Sequence, residues 1–312
     1  AEQLYRMVLS GNPDNPVALH SLGLIARRAG KPKAAREFIE RAIAGGAEVP
    51  LFYNTLGAVY NSLNERDRSV EAFRKALKLK PGYTEAANNL ASVLLEGGKY
   101  EQTVETCRKL LSENPGDFRA CNTIALALQE TGLYTEALKY FKQAVRIKPD
   151  FAVAYNNLGN LQRRLELFHP AAKNYKKAIE LNPRYAKAYN NLANVFKDQG
   201  RYEKAAACYR TALKLLPDSA EIHGNYALVL MERERHQEAL QELQQAVRLK
   251  PDFAEAYCSL GYVQKELGLY EESLRSCRRA IQIQDDMAGT FNCLGMSLHA
   301  YGRYEQAEKN YK

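Results

Sequence analysis

The sequence lacks any run of about 18 apolar residues, the length a helix needs to span a bilayer, so no membrane insertion is expected. It also lacks the marks of catalysis. There is no glycine-rich phosphate loop, no GxSxG and no HExxH, and its carboxylates are scattered along helix faces. The five histidines, His20, His169, His223, His236 and His299, fall without paired metal spacing. No enzyme activity, metal or cofactor is therefore expected. The six cysteines contain no CxxC, which favours a reducing compartment, the cytoplasm. No signal peptide or transit sequence is visible, although the first residue is Ala1 rather than Met. No basic block accompanies the net charge of +8: lysines such as Lys75, Lys78, Lys173 and Lys176 are interspersed with Glu71 and Glu180. That reads as a solvated mixed-charge face, not as a nucleic-acid footprint.

What the chain does have is a period. Residues 152–185 and 186–219 are one unit written twice, and Pro81, Pro115, Pro149, Pro183, Pro217 and Pro251 recur every 34 residues. Pro13 lies two periods before Pro81, while Ala47 and Asp285 stand where the remaining prolines would fall. With residue 152 as position 1, position 8 is always Gly or Ala (Gly23, Gly57, Ala91, Ala125, Gly159, Ala193, Ala227, Gly261, Gly295). Position 20 is always Ala, Ser or Thr, from Ala35 to Ala307. An aromatic recurs at position 17, commonly with Gly two residues earlier.

This pattern resembles the tetratricopeptide repeat family over the whole chain. The resemblance implies an all-α, right-handed superhelical solenoid of helix-turn-helix units. One array over 1–312 is expected: a partial repeat at 1–15, eight full repeats (16–49, 50–83, 84–117, 118–151, 152–185, 186–219, 220–253 and 254–287) and a partial one at 288–312. Ala1 then falls at position 20, so the array starts mid-repeat. Neither end carries a polar capping helix, and the chain is expected to be a piece of a longer polypeptide. Helix A is expected over positions 2–14 and helix B over 18–30, closed by the proline turn. Local softness is expected in 50–83 and 220–253, where Asn64 with Arg66 and Glu234 with His236 replace the Gly and the aromatic. Cys107 and Cys277 take position 24, otherwise held by residues such as Phe73, Phe141, Tyr175 and Tyr209, and read as small core residues. His223, at a position held by Tyr155, Tyr189 and Tyr257, reads as a packing residue.

Turning 100° per residue puts positions 2, 5, 6, 9, 12 and 13 of helix A on an arc that does not pack against neighbouring units. That arc is rich in asparagine. Position 6 supplies Asn89, Asn157, Asn191 and Asn225; position 5 supplies Asn54, Asn88, Asn122, Asn156, Asn190 and Asn292; position 9 adds Asn160 and Asn194. Asparagine is a mediocre helix former, and its amide offers both donor and acceptor to the backbone of an extended peptide. The alternative is that these amides bond across inter-repeat junctions or only keep the face soluble. Arg163, Arg164, Lys187 and Lys197, partly offset by Asp198, point to acidic or carboxylate-bearing partners.

In tetratricopeptide proteins helix A lines the concave surface. The asparagine pattern is similar to the repeat region of O-linked N-acetylglucosamine transferases, although Ser, Thr and Cys293 interrupt it towards both ends. Peptide binding is thus expected at Asn89, Asn156, Asn157, Asn160, Arg163, Lys187, Asn190, Asn191, Asn194, Lys197 and Asn225, and strongest around 152–219. Replacing Asn157 and Asn191 by alanine should weaken capture and leave stability almost unchanged. A chaperone-type carboxylate clamp would match at Lys187, Asn191 and Asn225, but Glu255 and Ser259 spoil it. Three functions remain open at this level: a non-catalytic module binding an extended peptide, the substrate-selecting arm of a glycosyltransferase whose catalysis is encoded elsewhere, and a self-assembling scaffold or homo-oligomer.

Overall fold

A computed structural model describes residues 2–46, 48–284 and 288–311. Ala1, Ala47, Asp285 and Lys312, which figured in the repeat register, lie outside the described residues. Among those described, the secondary structure is nineteen α-helices with no strand. The chain divides into two compact units, Ala1–Asn157 and Leu158–Lys312.

The first unit holds α1 (Glu2–Gly11), α2 (Pro16–Arg28), α3 (Pro32–Ala44), α4 (Pro50–Ser62), α5 (Arg66–Leu79), α6 (Thr84–Glu96), α7 (Tyr100–Glu113), α8 (Phe118–Glu130), α9 (Tyr134–Ile147) and the start of α10 (Ala152–Arg164). The second holds the rest of α10, then α11 (Phe168–Leu181), α12 (Ala186–Asp198), α13 (Tyr202–Leu215), α14 (Ala220–Met231), α15 (His236–Leu249), α16 (Ala254–Glu266), α17 (Tyr270–Ile283), α18 (Ala288–Ala300) and α19 (Tyr304–Tyr311). Even-numbered helices are helix A and odd-numbered ones helix B. Helix A starts at position 1 and helix B at position 17, each one residue earlier than the periodicity suggested.

The turn between them explains the boundary. In all nine repeats the N–H of position 16 donates to the carbonyl of position 11 at 2.8–2.9 Å, as in Lys31 to Ala26 and Arg303 to Leu298. This closure requires position 15 to be left-handed, which glycine adopts without steric cost. Gly30, Gly98, Gly132, Gly200, Gly268 and Gly302 do so. Where glycine is missing the conformation persists, at φ 60° for Asn64, 59° for Glu166 and 57° for Glu234. The two irregular repeats therefore keep the regular turn; α4, α5 and α15 have the length of their counterparts, whereas α14, with 12 residues in place of 13, ends one residue early.

Helix B ends in a second turn. Lys80, in extended conformation, donates its N–H to Ala76, and Tyr83 donates to Lys80 at 3.1 Å around Pro81 and Gly82. Proline suits the second place of such a turn because its φ is already set.

Close packing follows from the two small positions. Every position-20 side chain is buried, from Ala35 through Ser69, Thr103 and Ser273 to Ala307. Position 8 lies against position 24 of the same repeat. A Cβ on Gly57 would fall 2.7 Å from Phe73, and one on Gly159 2.7 Å from Tyr175. The Ser69 and Ser273 hydroxyls donate to the backbone oxygens of Gly57 and Gly261 at 2.8 and 2.6 Å, so helix A and helix B are also bonded where they approach most closely. In the second unit a continuous core runs from Ala171 and Tyr175 through Tyr209 and Leu243 to Val263, and Leu274, Cys277, Cys293 and Leu298 belong to a separate cluster. The core thus lies between repeats, as a solenoid requires.

Candidate peptide-contact face and its asparagines

Positions 5 and 6 of successive A helices meet side by side. In the first unit His20 Nε2 pairs with Thr55 Oγ1 at 2.9 Å, Asn89 Nδ2 donates to Asn54 Oδ1 at 3.0 Å, and Asn157 Nδ2 donates to Asn122 Oδ1 at 3.0 Å. In the second, Asn225 Nδ2 donates to Asn190 Oδ1 at 3.3 Å, and the Cys293 thiol donates to the backbone oxygen of Cys258 at 3.8 Å. All five pairs are 35 residues apart, one repeat plus one position. The same junction is therefore closed by three chemistries, and the amides belong to it.

The acceptors are buried and the donors are half-buried. Asn54, Asn122 and Asn190 are 3%, 8% and 5% exposed, whereas Asn89, Asn157 and Asn225 keep part of their surface in solvent. Asn88 departs from the pattern: it donates to Asp117 Oδ2 at 2.9 Å, and Asp117 Oδ1 in turn accepts the Ala120 N–H at 2.8 Å. That ties α6 to the N-cap of α8.

Position 9 has a different partner. The Tyr175 hydroxyl donates to Asn160 Oδ1 at 2.8 Å, and the Tyr209 hydroxyl donates to Asn194 Oδ1. Burial pushes both phenols well above their ordinary pKa, so they remain protonated donors. A buried phenol needs an acceptor, and Asn160 and Asn194 belong to the two full repeats with tyrosine at position 24. Where that position is Phe73 or Phe141, position 9 is Ala58 or Leu126. This covariation is legible in the sequence, and reading the asparagines only as a ladder missed it.

The expected contact residues thus separate. Asn156 and Asn190 at position 5, and Asn194 at position 9, are buried, at only 4%, 5% and 8% exposed. Asn160 is exposed, and besides Tyr175 it accepts from Asn191 Nδ2 at 2.9 Å. Arg163 Nε donates to Asp198 Oδ2 at 2.7 Å, so its charge is already met by the next repeat. Lys187 is exposed and Lys197 half-buried. Since Asn157 donates to Asn122 and Asn191 to Asn160, an alanine at either site removes an inter-repeat bond, contrary to the expectation of unchanged stability.

Family models described as tetratricopeptide repeat match residues 16–41, 56–118, 118–184, 150–218, 190–252 and 227–288.

The chain belongs to the tetratricopeptide repeat family.

The human tetratricopeptide repeat protein 7A is 31% identical over 80 residues, which are 26% of this chain and 9% of that protein. Among solved structures, the MamA protein of Desulfovibrio magneticus RS-1, from residue 41 to its end, aligns with a TM-score of 0.50 at 22% identity, over 55% of this chain and 97% of that one. YrrB, described as a tetratricopeptide protein with an unusual peptide-binding site, aligns at 0.48 and 25% identity over 55% of this chain and 88% of its own. The tetratricopeptide solenoid is the fold of this chain, and arrays of this family are protein–protein interaction modules, typically without catalysis.

Among the described residues no group of three or more His, Cys, Asp or Glu could hold a metal ion, and no helix is long and apolar enough to cross a membrane. His223 is more than packing. Its Nε2 bonds the Pro217 carbonyl at 2.8 Å and its Nδ1 the Glu242 carboxylate. Burial would lower its pKa, but the bonds to Glu242 and Pro217 and the charges of Glu242 and Asp218 outweigh that and raise it. Clefts of about 350 and 590 Å³ flank α7, sharing Glu105 and Lys109, and none of the predicted contact asparagines lines either.

Proposed function

We propose that the A helices of each unit bind an extended segment of another polypeptide, contacted through the half-buried amides of position 6. In the first unit these are Asn89 and Asn157. In the second they are Asn191 and Asn225, with Asn160, Lys187 and Lys197 on the same arc. The observation that carries this reading is the recurring junction bond. A carboxamide has two N–H donors and an oxygen with two lone pairs, and for Asn89, Asn157 and Asn225 the bond across the junction engages one N–H. It also holds each amide in one orientation, so less side-chain entropy is lost when a peptide backbone pairs with it. Asn156, Asn190 and Asn194 are structural members of this arrangement, and Arg163 acts through Asp198. Lys187 and Lys197 would favour acidic residues in the partner, affecting association rate and register more than affinity.

The test separates contact from scaffold. Peptides are selected from a displayed library on the intact chain, and capture is then compared for Asn225→Ala and Asn190→Ala. Both changes break the same bond, but only Asn225 presents atoms to a partner. Capture should fall more for Asn225→Ala. Equal loss, after correction for any difference in folded fraction, would show that the amides only hold the repeats together.

A further inference from the structure

Cys277 on α17 and Cys293 on α18 belong to consecutive repeats, and their Sγ atoms lie 2.9 Å apart. They are 0% and 2% exposed. The register of the solenoid brings them together: Cys277 holds position 24, which faces position 8 of its own repeat, and Cys293 holds position 6, which faces position 5 of the repeat before. A Cβ on Gly261, at that position 8, would fall 2.4 Å from the Cys277 sulfur and 3.3 Å from the Cys293 sulfur. The bare glycine is what gives the two sulfurs a common space. In the other repeats position 6 is Ser, Thr or Asn. Only at this junction are both places cysteine.

We propose that Cys277 and Cys293 are an oxidisable pair, forming an intrachain disulfide that fastens the repeat 254–287 to the one that follows. The oxidant is a low-molecular-weight disulfide. One protein thiolate attacks a sulfur of the reagent, breaks its S–S bond and releases one small thiolate. The second protein thiolate then attacks the mixed disulfide, makes the Cys277–Cys293 bond and expels the other small thiolate. The two protons lost by the protein thiols are taken up by the two departing thiolates, so the protein is oxidised, and the reagent reduced, by two electrons.

The surroundings set the kinetics. At Cys293 the bond to Cys258 lowers the pKa, but the contact with Cys277 and burial outweigh it and push the thiol up to about 12. Thiolate is scarce at Cys293 in the closed fold and both sulfurs are covered, so the reaction proceeds when the α17–α18 junction opens. Once formed, the bond closes a loop between residues 16 apart and opposes that opening by restricting the unfolded chain.

The experiment incubates the full chain with glutathione disulfide, with and without sub-denaturing urea. Remaining thiols are then alkylated and the products mapped by mass spectrometry without reduction. The expected product is a Cys277–Cys293 cross-link that forms faster in urea, raises the thermal midpoint and is released by dithiothreitol. Cys258→Ser should retain it; Cys277→Ala, confirmed as folded by circular dichroism, should abolish it. Stable glutathione adducts on both cysteines without a cross-link would overturn the proposal, as would an undiminished cross-link to Cys293 in Cys277→Ala. Mapping of the unsubstituted chain decides the matter even if the variants fold poorly.

Discussion

The bond between Asn89 and Asn54 offers the sharpest measure of the junction. Asn89→Ala removes the donor and leaves the Asn54 oxygen without one, in a residue only 3% exposed. An orphaned buried acceptor costs about 1–3 kcal/mol. Asn54→Ala removes the acceptor instead, but Asn89 is half-buried and its freed N–H can turn to water. That loss should approach the net value of a neutral hydrogen bond, about 0.5–1.5 kcal/mol; the 3.4 Å contact from Asn54 Nδ2 to the Tyr83 hydroxyl is too long to add much. The double variant should then cost less than the sum, with a coupling of about 0.5–1.5 kcal/mol. The equivalent Asn225–Asn190 bond is longer, 3.3 Å, and should couple more weakly. Because a solenoid need not unfold in one step, the assay is amide hydrogen exchange across α4 to α6, resolved by mass spectrometry. At about 1.4 kcal/mol per tenfold change, exchange at that junction should accelerate by about 2- to 12-fold in Asn54→Ala and about 5- to 140-fold in Asn89→Ala, and little in repeats far from it. A coupling indistinguishable from additivity, below about 0.3 kcal/mol, would refute the assignment of these amides to the junction.

Other consequences follow from packing, backbone and charge. Gly57→Ala would place a Cβ 2.7 Å from the Phe73 ring, and the overpacking should lower unfolding free energy by about 1–3 kcal/mol in urea titration; an unchanged midpoint would mean that the ring yields freely. Glu234→Gly relieves a left-handed glutamate, φ 57°, and should stabilise the 220–253 repeat by up to about 1 kcal/mol, offset in part by unfolded-state entropy. Tyr209→Phe leaves the buried Asn194 oxygen without its donor and should cost about 1–3 kcal/mol by the same denaturation assay. For His223 the folded pKa lies above the ordinary 6.5. The proton is bound more tightly in the folded state, so its stabilisation is complete below pH 6.5 and is lost as pH rises through the raised value. NMR titration of the ring should show the upward shift, and His223→Gln should flatten that part of the pH–stability curve.

The legible and illegible parts of this chain differ in range. Gly23 and Ala35, or Gly57 and Ser69, fix how closely two helices of one repeat approach, and the residues that do so are 12 apart in the chain. The turn at position 15 is equally local, although glycine content alone suggested weakness at Asn64 and Glu234 and passed over Glu166, which adopts the same conformation. The Tyr175–Asn160 and Tyr209–Asn194 pairs were also within reach, through the matched occurrence of tyrosine at position 24 and asparagine at position 9. The asparagines of positions 5 and 6 were a harder case. A carboxamide that can donate and accept looks the same in sequence whether it faces a peptide or its neighbour in the next repeat.

By itself the sequence determined the repeat, the helix pair, its turns and the small residues where the pair touches, because these depend on backbone conformation and on side chains within one unit of 34. Only the tertiary structure decided that Asn54, Asn122 and Asn190 are buried acceptors and that Asn89, Asn157 and Asn225 are their half-buried donors. It also brought Cys277 within 2.9 Å of Cys293. The physical reason is that each of these pairings depends on how one repeat docks on the next. Docking sets which one-residue offset between adjacent A helices falls within hydrogen-bond distance.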